Sequence, residues 1–373
     1  MNRTIRAFAA LALAAACVLA NPPPHAYAQD GIQVAVKARQ SASFASSLSA
    51  PCLGRFGTGT SLDFDFSGQK GPASTSVAGS LSLLSGGEAQ ALWGSLVLDP
   101  GKVFGVLLAP DFDPGLAAPQ SASILSLREL SISLEQGPFS FETGYTLANW
   151  GQGKAFSPAD YFADIDYSSG RPERRSKVLF RASFFPGSLS RIDIVAAPEI
   201  LSPGIIAARA YGLVTDTLAL GASIGYKTGV PGTSSSVLGG LELGFDLPWF
   251  SPYGEAALRL PLDGSPQFSE IKSSFMAGAV AKLGSLTLLG EYSYEPQGSA
   301  RHRIFGLASY PLDEWLSLSV PLSLYPDAGA LSFGLTLAAA DLWGLDIASA
   351  ALFSKDGIGN WSMALSSQLS VGF

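Results

Sequence analysis

The chain has 373 residues, 47% of them hydrophobic and only 14% charged, with a formal net charge of -7. An ordinary soluble domain carries about 25% charged residues, and a nucleic-acid binder favours a basic surface, so the composition argues against both. A helical membrane protein needs about 20 consecutive apolar residues per span, and beyond the amino terminus Gly, Ser and Pro interrupt every run.

At the amino terminus, Arg3 and Arg6 precede an apolar core from Ala7 to Ala20, and Ala26-Tyr27-Ala28 forms an A-x-A site before Gln29. This is the layout of an export signal, so residues 1–28 are read as a signal peptide cleaved after Ala28. A lipoprotein signal acylated at Cys17 competes with this reading, but the position three residues before that cysteine lacks the usual Leu. With Cys17 removed, Cys52 stands alone and no intramolecular disulfide can form. Residues 29–73 are an amino-terminal segment that supplies either two first strands, around Gln33 to Phe44 and Arg55 to Phe66, or a plug from Gln33 to Leu53.

From Ser74 to the end, segments of about ten residues alternate apolar with small or polar side chains. Leu218, Leu220, Ala222, Ile224 and Tyr226 oppose Ala219, Gly221, Ser223 and Gly225. Leu316, Leu318, Val320, Leu322 and Leu324 oppose Ser317, Ser319, Pro321 and Ser323, and Leu331, Phe333, Leu335 and Leu337 oppose Ser332, Gly334, Thr336 and Ala338. Strand side chains point to opposite faces with period two, so each segment shows one greasy and one wet face. Pro321, which lacks a ladder donor, is read as a bulge.

The links alternate as well. Short ones (Asp99-Pro100-Gly101, Gln136-Gly137-Pro138, Pro186-Gly187-Ser188, Thr215-Asp216, Leu283-Gly284, Pro311 to Glu314) take turns with longer ones. The longer ones are Pro110 to Ser121, Gly151 to Arg175, Lys227 to Ser235, Asp263 to Glu270, Glu295 to Arg301 and Ser354 to Asn360. A transmembrane barrel has this rhythm. The predicted fold is therefore all-β, a transmembrane antiparallel up-and-down β-barrel over residues 74–373. An even number of about 16 to 20 strands fits, 18 being the best count, all placed from Ser74 onward; such a barrel is wide enough for an aqueous channel. Tyr226, Trp249, Phe250, Tyr253, Tyr292, Tyr294, Tyr310, Trp315, Tyr325, Trp343 and Trp361 lie at strand ends and are read as interfacial girdles.

Glu142, Arg181, Asp193, Glu242, Asp246, Glu255, Arg259, Glu291 and Asp346 fall opposite the apolar faces and are read as pore-lining. Their acidic excess suggests a pore that mildly favours cations, and the alternative is a set of internal salt bridges that fills part of the lumen. The most specific stretch runs from Trp150 to Phe162 and reads W-G-x-G-x-x-F-x-P-x-D-x-F. It resembles a loop segment of several families of porin-like outer-membrane proteins. Glycines Gly151 and Gly153 permit a tight bend, Pro158 fixes it, the aromatics, Trp150 and Phe156 among them, anchor it, and Asp160 belongs to the same segment. The connection continues through Asp164, Asp166, Arg171, Glu173, Arg174 and Arg175, and loops longer than about 12 to 15 residues are usually functional or disordered. Two readings stand side by side: a loop folded into the mouth as a constriction, where opposed Asp and Arg groups set size and charge selectivity, and a solvated outer loop.

Enzymatic readings find little support. Beyond the predicted signal only His302 remains, between Arg301 and Arg303, read as a solvated loop residue. One His and one Cys do not make a zinc site, and no cofactor is expected. The closing segment alternates Trp361, Met363, Leu365, Leu369, Val371 and Phe373 with Ser362, Ala364, Ser366, Gln368, Ser370 and Gly372. A terminal strand ending on an aromatic residue resembles that of bacterial outer-membrane β-barrel proteins. The resemblance implies outer-membrane lipid and the barrel-assembly machinery, through Phe373, as partners, short turns on the periplasmic side, and passive diffusion of small hydrophilic solutes. It leaves open a homotrimer, a plugged transporter of hydrophobic compounds, and a structural or adhesive barrel.

Overall fold

The computed structural model describes residues 32–47, 50–86, 89, 105–108, 121–148, 150–162, 165–166, 173–174, 176–198, 204–229, 234–262, 271–298, 300–342 and 345–372. The wall strands are Ile32–Ser47 (β1), Ala50–Lys70 (β2), Ala73–Gly86 (β3), Ser121–Gln136 (β4), Phe139–Thr146 (β5), Lys177–Gly187 (β6), Ser190–Ala197 (β7), Ile205–Leu213 (β8) and Leu218–Lys227 (β9). They continue with Ser236–Phe245 (β10), Phe250–Pro261 (β11), Lys272–Leu283 (β12), Leu286–Tyr294 (β13), His302–Pro311 (β14), Leu316–Tyr325 (β15), Ala330–Leu342 (β16), Leu345–Lys355 (β17) and Trp361–Gly372 (β18). Each pairs antiparallel with the next, and β18 pairs with β1 from Lys37 opposite Gly372 to Ser47 opposite Ser362. Among the described residues the result is a closed 18-stranded antiparallel barrel, which leaves no sheet edge unpaired.

The total agrees with the expectation, but its make-up does not. β1 and β2 are wall strands, so 16 strands, not 18, run from Ala73 onward. The surplus pair came from the residues between β3 and β4, because period two marks a strand without saying whether its partner belongs to the wall. β3 pairs directly with β4, from Ala73 opposite Leu134 to Ser85 opposite Ser121. Of the residues between them, Gly105–Leu108 adds a short ladder on the other edge of β4. The predicted turn at Asp99-Pro100-Gly101 and the loop Pro110 to Gln120 lie outside the described residues. Gln33 to Leu53, apart from residues 48–49, runs in the wall rather than across the lumen.

The greasy faces turn outward. Leu220, Ile224, Leu241, Leu335 and Leu369 are exposed, and Leu316 and Leu318 share the outward face of β15 with the exposed Val320 and Leu322. Pro321 needs no bulge. The register between β15 and β16 passes it without a shift, and the ladder simply omits Val320 and Pro321. Trp249, Phe250, Tyr310 and Trp315 sit at the end with short turns, and Tyr226, Tyr292, Tyr294, Tyr325 and Trp361 at the other. Tyr253 is not in a girdle: its hydroxyl reaches the inward-facing Glu291 at 2.5 Å. Trp343 lies outside the described residues.

At the short-turn end, Gly137 (φ 58) and Gly284 (φ 61) occupy the left-handed region of tight hairpins, which glycine enters without steric penalty. The long links gather at the opposite end. One of them, between β5 and β6, packs against the inner wall and forms with it two buried apolar clusters among the described residues.

Candidate functional site

The loop leaves β5 and turns into the barrel at Trp150. Gly151 has φ +80, and a Cβ there would stand 2.0 Å from the Ser157 hydroxyl and 2.7 Å from Glu255 Oε1. A Cβ on Gly153 would stand 1.7 Å from the Phe156 carbonyl oxygen. Only glycine fits either position. The bend is closed by Asp160, which accepts from the Trp150 and Phe162 N–H groups at 3.2 and 3.1 Å. Arg174, on the returning limb, donates to Asp160 at 2.8 Å and to the Trp150 and Gly153 carbonyls at 3.0 and 2.8 Å. Burial pushes the Asp160 carboxyl up from its ordinary value, with Arg174 pulling it the other way.

The root of the loop is apolar. Trp150 meets Phe162 edge-on at 4.9 Å, and both pack on Leu179, Val195, Ile205 and Leu238 from the wall. At the tip, Ala155 and Phe156 pack on Met276 and Phe305. The wall makes room at Gly240, where a Cβ would stand 2.6 Å from the Tyr161 hydroxyl. That hydroxyl bonds Ser223 at 2.9 Å, and burial first, with Glu242 and Glu255 adding, pushes it up to about 12.

Two carboxylates from the wall grip the backbone between root and tip. Glu255 accepts from the Gln152 and Gly153 N–H groups at 2.5 and 2.7 Å, from Ala159 N–H at 3.0 Å, and from the Ser157 hydroxyl at 3.1 Å. Glu291 accepts from the N–H groups of Lys154, Ala155 and Phe156 at 2.5, 2.8 and 2.8 Å, and from Tyr253. Both side chains are buried, and among the described residues neither has a cationic partner. Buried charges are otherwise paired with opposite charge, so here the fan of N–H dipoles supplies the compensation.

The remaining predicted lining residues are engaged in other ways. Glu142 pairs with Arg181 at 2.8 Å, and Arg181 also donates to the Leu147 and Ala148 carbonyls. Asp193 is held by Arg191 at 2.5 Å and by Ser183. Glu242 lies directly opposite Glu255, and its charge is met by the Arg209 fork at 2.7 and 2.5 Å. Asp346 pairs with Lys37 at 2.5 Å, across the intervening β18. Asp246 falls beyond the end of β10, exposed at a turn, where it accepts from Ser251. Arg259 donates to Ser236 at 3.0 Å and, among the described residues, has no acidic partner. Arg171 and Arg175 lie outside the described residues.

Arg191, Arg209 and Tyr161 were not singled out from the sequence, although Arg209 sits on the inward side of the alternation Ala207, Arg209, Tyr211. Their importance comes from partners on neighbouring strands, which one strand's pattern does not reveal. His302 opens β14 rather than lying in a loop, and its Nδ1 meets the Tyr292 hydroxyl at 2.7 Å. Among the described residues no group of three or more His, Cys, Asp or Glu stands ready to hold a metal ion.

No family model and no curated protein matches the sequence. Solved structures do match. The chain superposes on Pseudomonas aeruginosa OccK5 (OpdH) with a TM-score of 0.59 at 8% identity, over 92% of this chain and 98% of that one. The fold is similar to that of the OccK/Opd barrels. OpdQ of the same organism matches with a TM-score of 0.57 at 10% identity, over 92% and 98% of the two chains. OpdK, solved with vanillate, matches with a TM-score of 0.55 at 9% identity, over 91% and 99%. The coverage takes in nearly the whole of each barrel, so the likeness is one of complete architecture.

Proposed function

We propose that the protein is an outer-membrane channel through which small hydrophilic solutes diffuse passively, and that it passes anionic solutes, carboxylates among them, more readily than cations. The observation that carries this reading is the loop latched inside a closed wall: it packs against the inner face between β6 and β14 and so narrows the lumen there. A barrel with an apolar exterior and a polar interior is built for a bilayer. Size and charge at such a narrowing set what passes.

The charge preference follows from which groups are engaged. Apart from Asp246, which lies exposed beyond the end of β10, the acids that suggested a cation-favouring pore are compensated: Glu142, Asp193, Glu242 and Asp346 by Arg or Lys, and Glu255 and Glu291 by loop N–H groups. Arg259 carries no acid among the described residues, Lys272 stands directly opposite it and is exposed, and Lys154 is exposed on the loop. Vanillate, the compound in the OpdK structure, is itself a carboxylate. The carboxyl-terminal strand is proposed as the signal read by the assembly machinery.

The test is the zero-current potential of the purified protein in planar bilayers under a salt gradient. A stepwise current with anion preference is expected, and Arg259→Ser with Lys272→Ser should reduce that preference by about half or more. A cation-preferring current, or a preference unmoved by the double variant, would rule out the charge assignment.

A further inference from the structure

We propose that Glu255 and Glu291 are positioning residues that set the bore of the channel through the loop, rather than pore-lining acids that act on the solute. The inference rests on the channel reading above and concerns the same site.

The geometry supports the latch in three ways. First, the two side chains divide one continuous stretch of backbone between them. Glu255 takes the N–H groups of Gln152, Gly153 and Ala159, and Glu291 takes those of Lys154, Ala155 and Phe156. These six donors belong to a segment without a helix or strand of its own, so no ladder would satisfy them if the carboxylates left. Second, every oxygen of the pair is already met by at least two donors, since the Ser157 hydroxyl also reaches both Glu255 oxygens and the Tyr253 hydroxyl and Lys154 N–H share Glu291 Oε1. An amide in place of either carboxylate would turn one acceptor into an NH2 donor facing N–H groups. Third, both side chains are covered by the loop they hold, Glu255 at 5% and Glu291 at 3% exposure, so a passing solute does not meet them.

The strands underneath fix the spacing. Glu255 on β11 stands opposite Met276 on β12, and Glu291 on β13 stands opposite Gly278 of the same strand. The two carboxylates are therefore carried by one stretch of rigid sheet, with β12 between them. A Cβ on Gly278 would come within 2.9 Å of Glu291 Cγ and 2.7 Å of the Tyr253 ring, which keeps that gap free of a side chain. The hydroxyl of Tyr253 then steers Glu291 toward the loop.

The two roles predict opposite outcomes for the same substitutions. If Glu255 and Glu291 acted on the solute, Glu255→Gln with Glu291→Gln would remove negative charge from the lumen, strengthen the anion preference and leave the conductance unchanged. If they hold the loop, the double variant releases it: conductance rises by about twofold or more, and anion preference falls because Lys154 leaves the narrowing. Trp150, 1% exposed at the root of the loop, gives a second readout. Its emission, taken as the difference from Trp150→Phe, should shift to the red in the double Gln variant. Glu255→Asp, which keeps the charge but shortens the reach, should recover part of both effects. Barrel integrity is checked by heat-modifiable gel mobility. Unchanged conductance with stronger anion preference and unmoved Trp150 emission would overturn the proposal. A wild-type protein that folds but carries no current would overturn the channel reading alone, and the Trp150 measurement would still decide the latch.

Discussion

Arg174 is the residue on which the shape of the loop depends most directly, because it ties one carboxylate and two carbonyls from three different positions. The Asp160 side chain is only 1% exposed, and removing one partner of a buried ion pair costs about 3 to 5 kcal/mol because a charge is left uncompensated. Arg174→Ala is therefore expected to loosen the loop at neutral pH. The pH dependence has a definite sign. Burial holds the Asp160 carboxyl above its ordinary 3.8, so the stability linked to its proton is complete below that value and is lost as pH rises through the raised one. Without the guanidinium the carboxyl rises further, and acid should partly restore the docked loop in the variant. Trp150 emission between neutral and acidic pH measures this, and an Arg174→Ala protein whose spectra match the wild type throughout would contradict it.

Strand β10 shows at the scale of one element why the fold was legible and the site only partly so. Gly240 and Leu241 are neighbours in sequence, yet one faces the loop and the other is 63% exposed on the outer surface. Leu241→Arg puts a cation at the middle of the strand on the lipid side, which costs about 2 to 4 kcal/mol in hydrocarbon. It should lower the midpoint of urea unfolding in liposomes while sparing the conductance of the barrels that do fold. Gly240→Val should do the reverse, since its Cβ would meet the Ser223 and Tyr161 hydroxyls at 2.5 and 2.6 Å and lift the loop from a wall that otherwise remains intact. If both variants lose the barrel equally, the assignment of faces is wrong. Period two was enough to assign these faces from the sequence, and it also placed Glu142, Arg181, Asp193, Glu242, Glu255 and Glu291 on the inner side. What it did not show was the partner of each. The Glu242–Arg209 pair spans 33 positions and the Glu255 contact with Gly153 spans 102, and no local pattern encodes such distances. The loop was conspicuous for the opposite reason: glycines, proline and aromatics crowd one short stretch, and the crowding marks a backbone that must bend and be anchored.

For the molecule as a whole, strand number and strand direction are linked through the seam. β18 runs antiparallel to β1, and β1 antiparallel to β2, so β2 and β18 point the same way. Deleting Ile32–Ser47 would leave an odd-stranded sheet whose closing edges meet in parallel, with a different hydrogen-bond pattern from the rest of the wall. It would also remove Lys37 and Arg39, which pair with Asp346 and Asp63 near that seam. Deleting the whole hairpin from residue 32 to residue 71 loses more residues but restores the parity, because β3 points the same way as β1 and meets β18 antiparallel. The shorter deletion is therefore expected to give no protease-resistant, heat-modifiable form in liposomes, while the longer one recovers a folded fraction with a narrower bore. Ranking the two products by folded yield tests whether the barrel is governed by closure or by local pairing. A single-strand deletion that folds as well as the full chain would show that the seam tolerates a parallel join, and that the even count has no part in the stability of this wall.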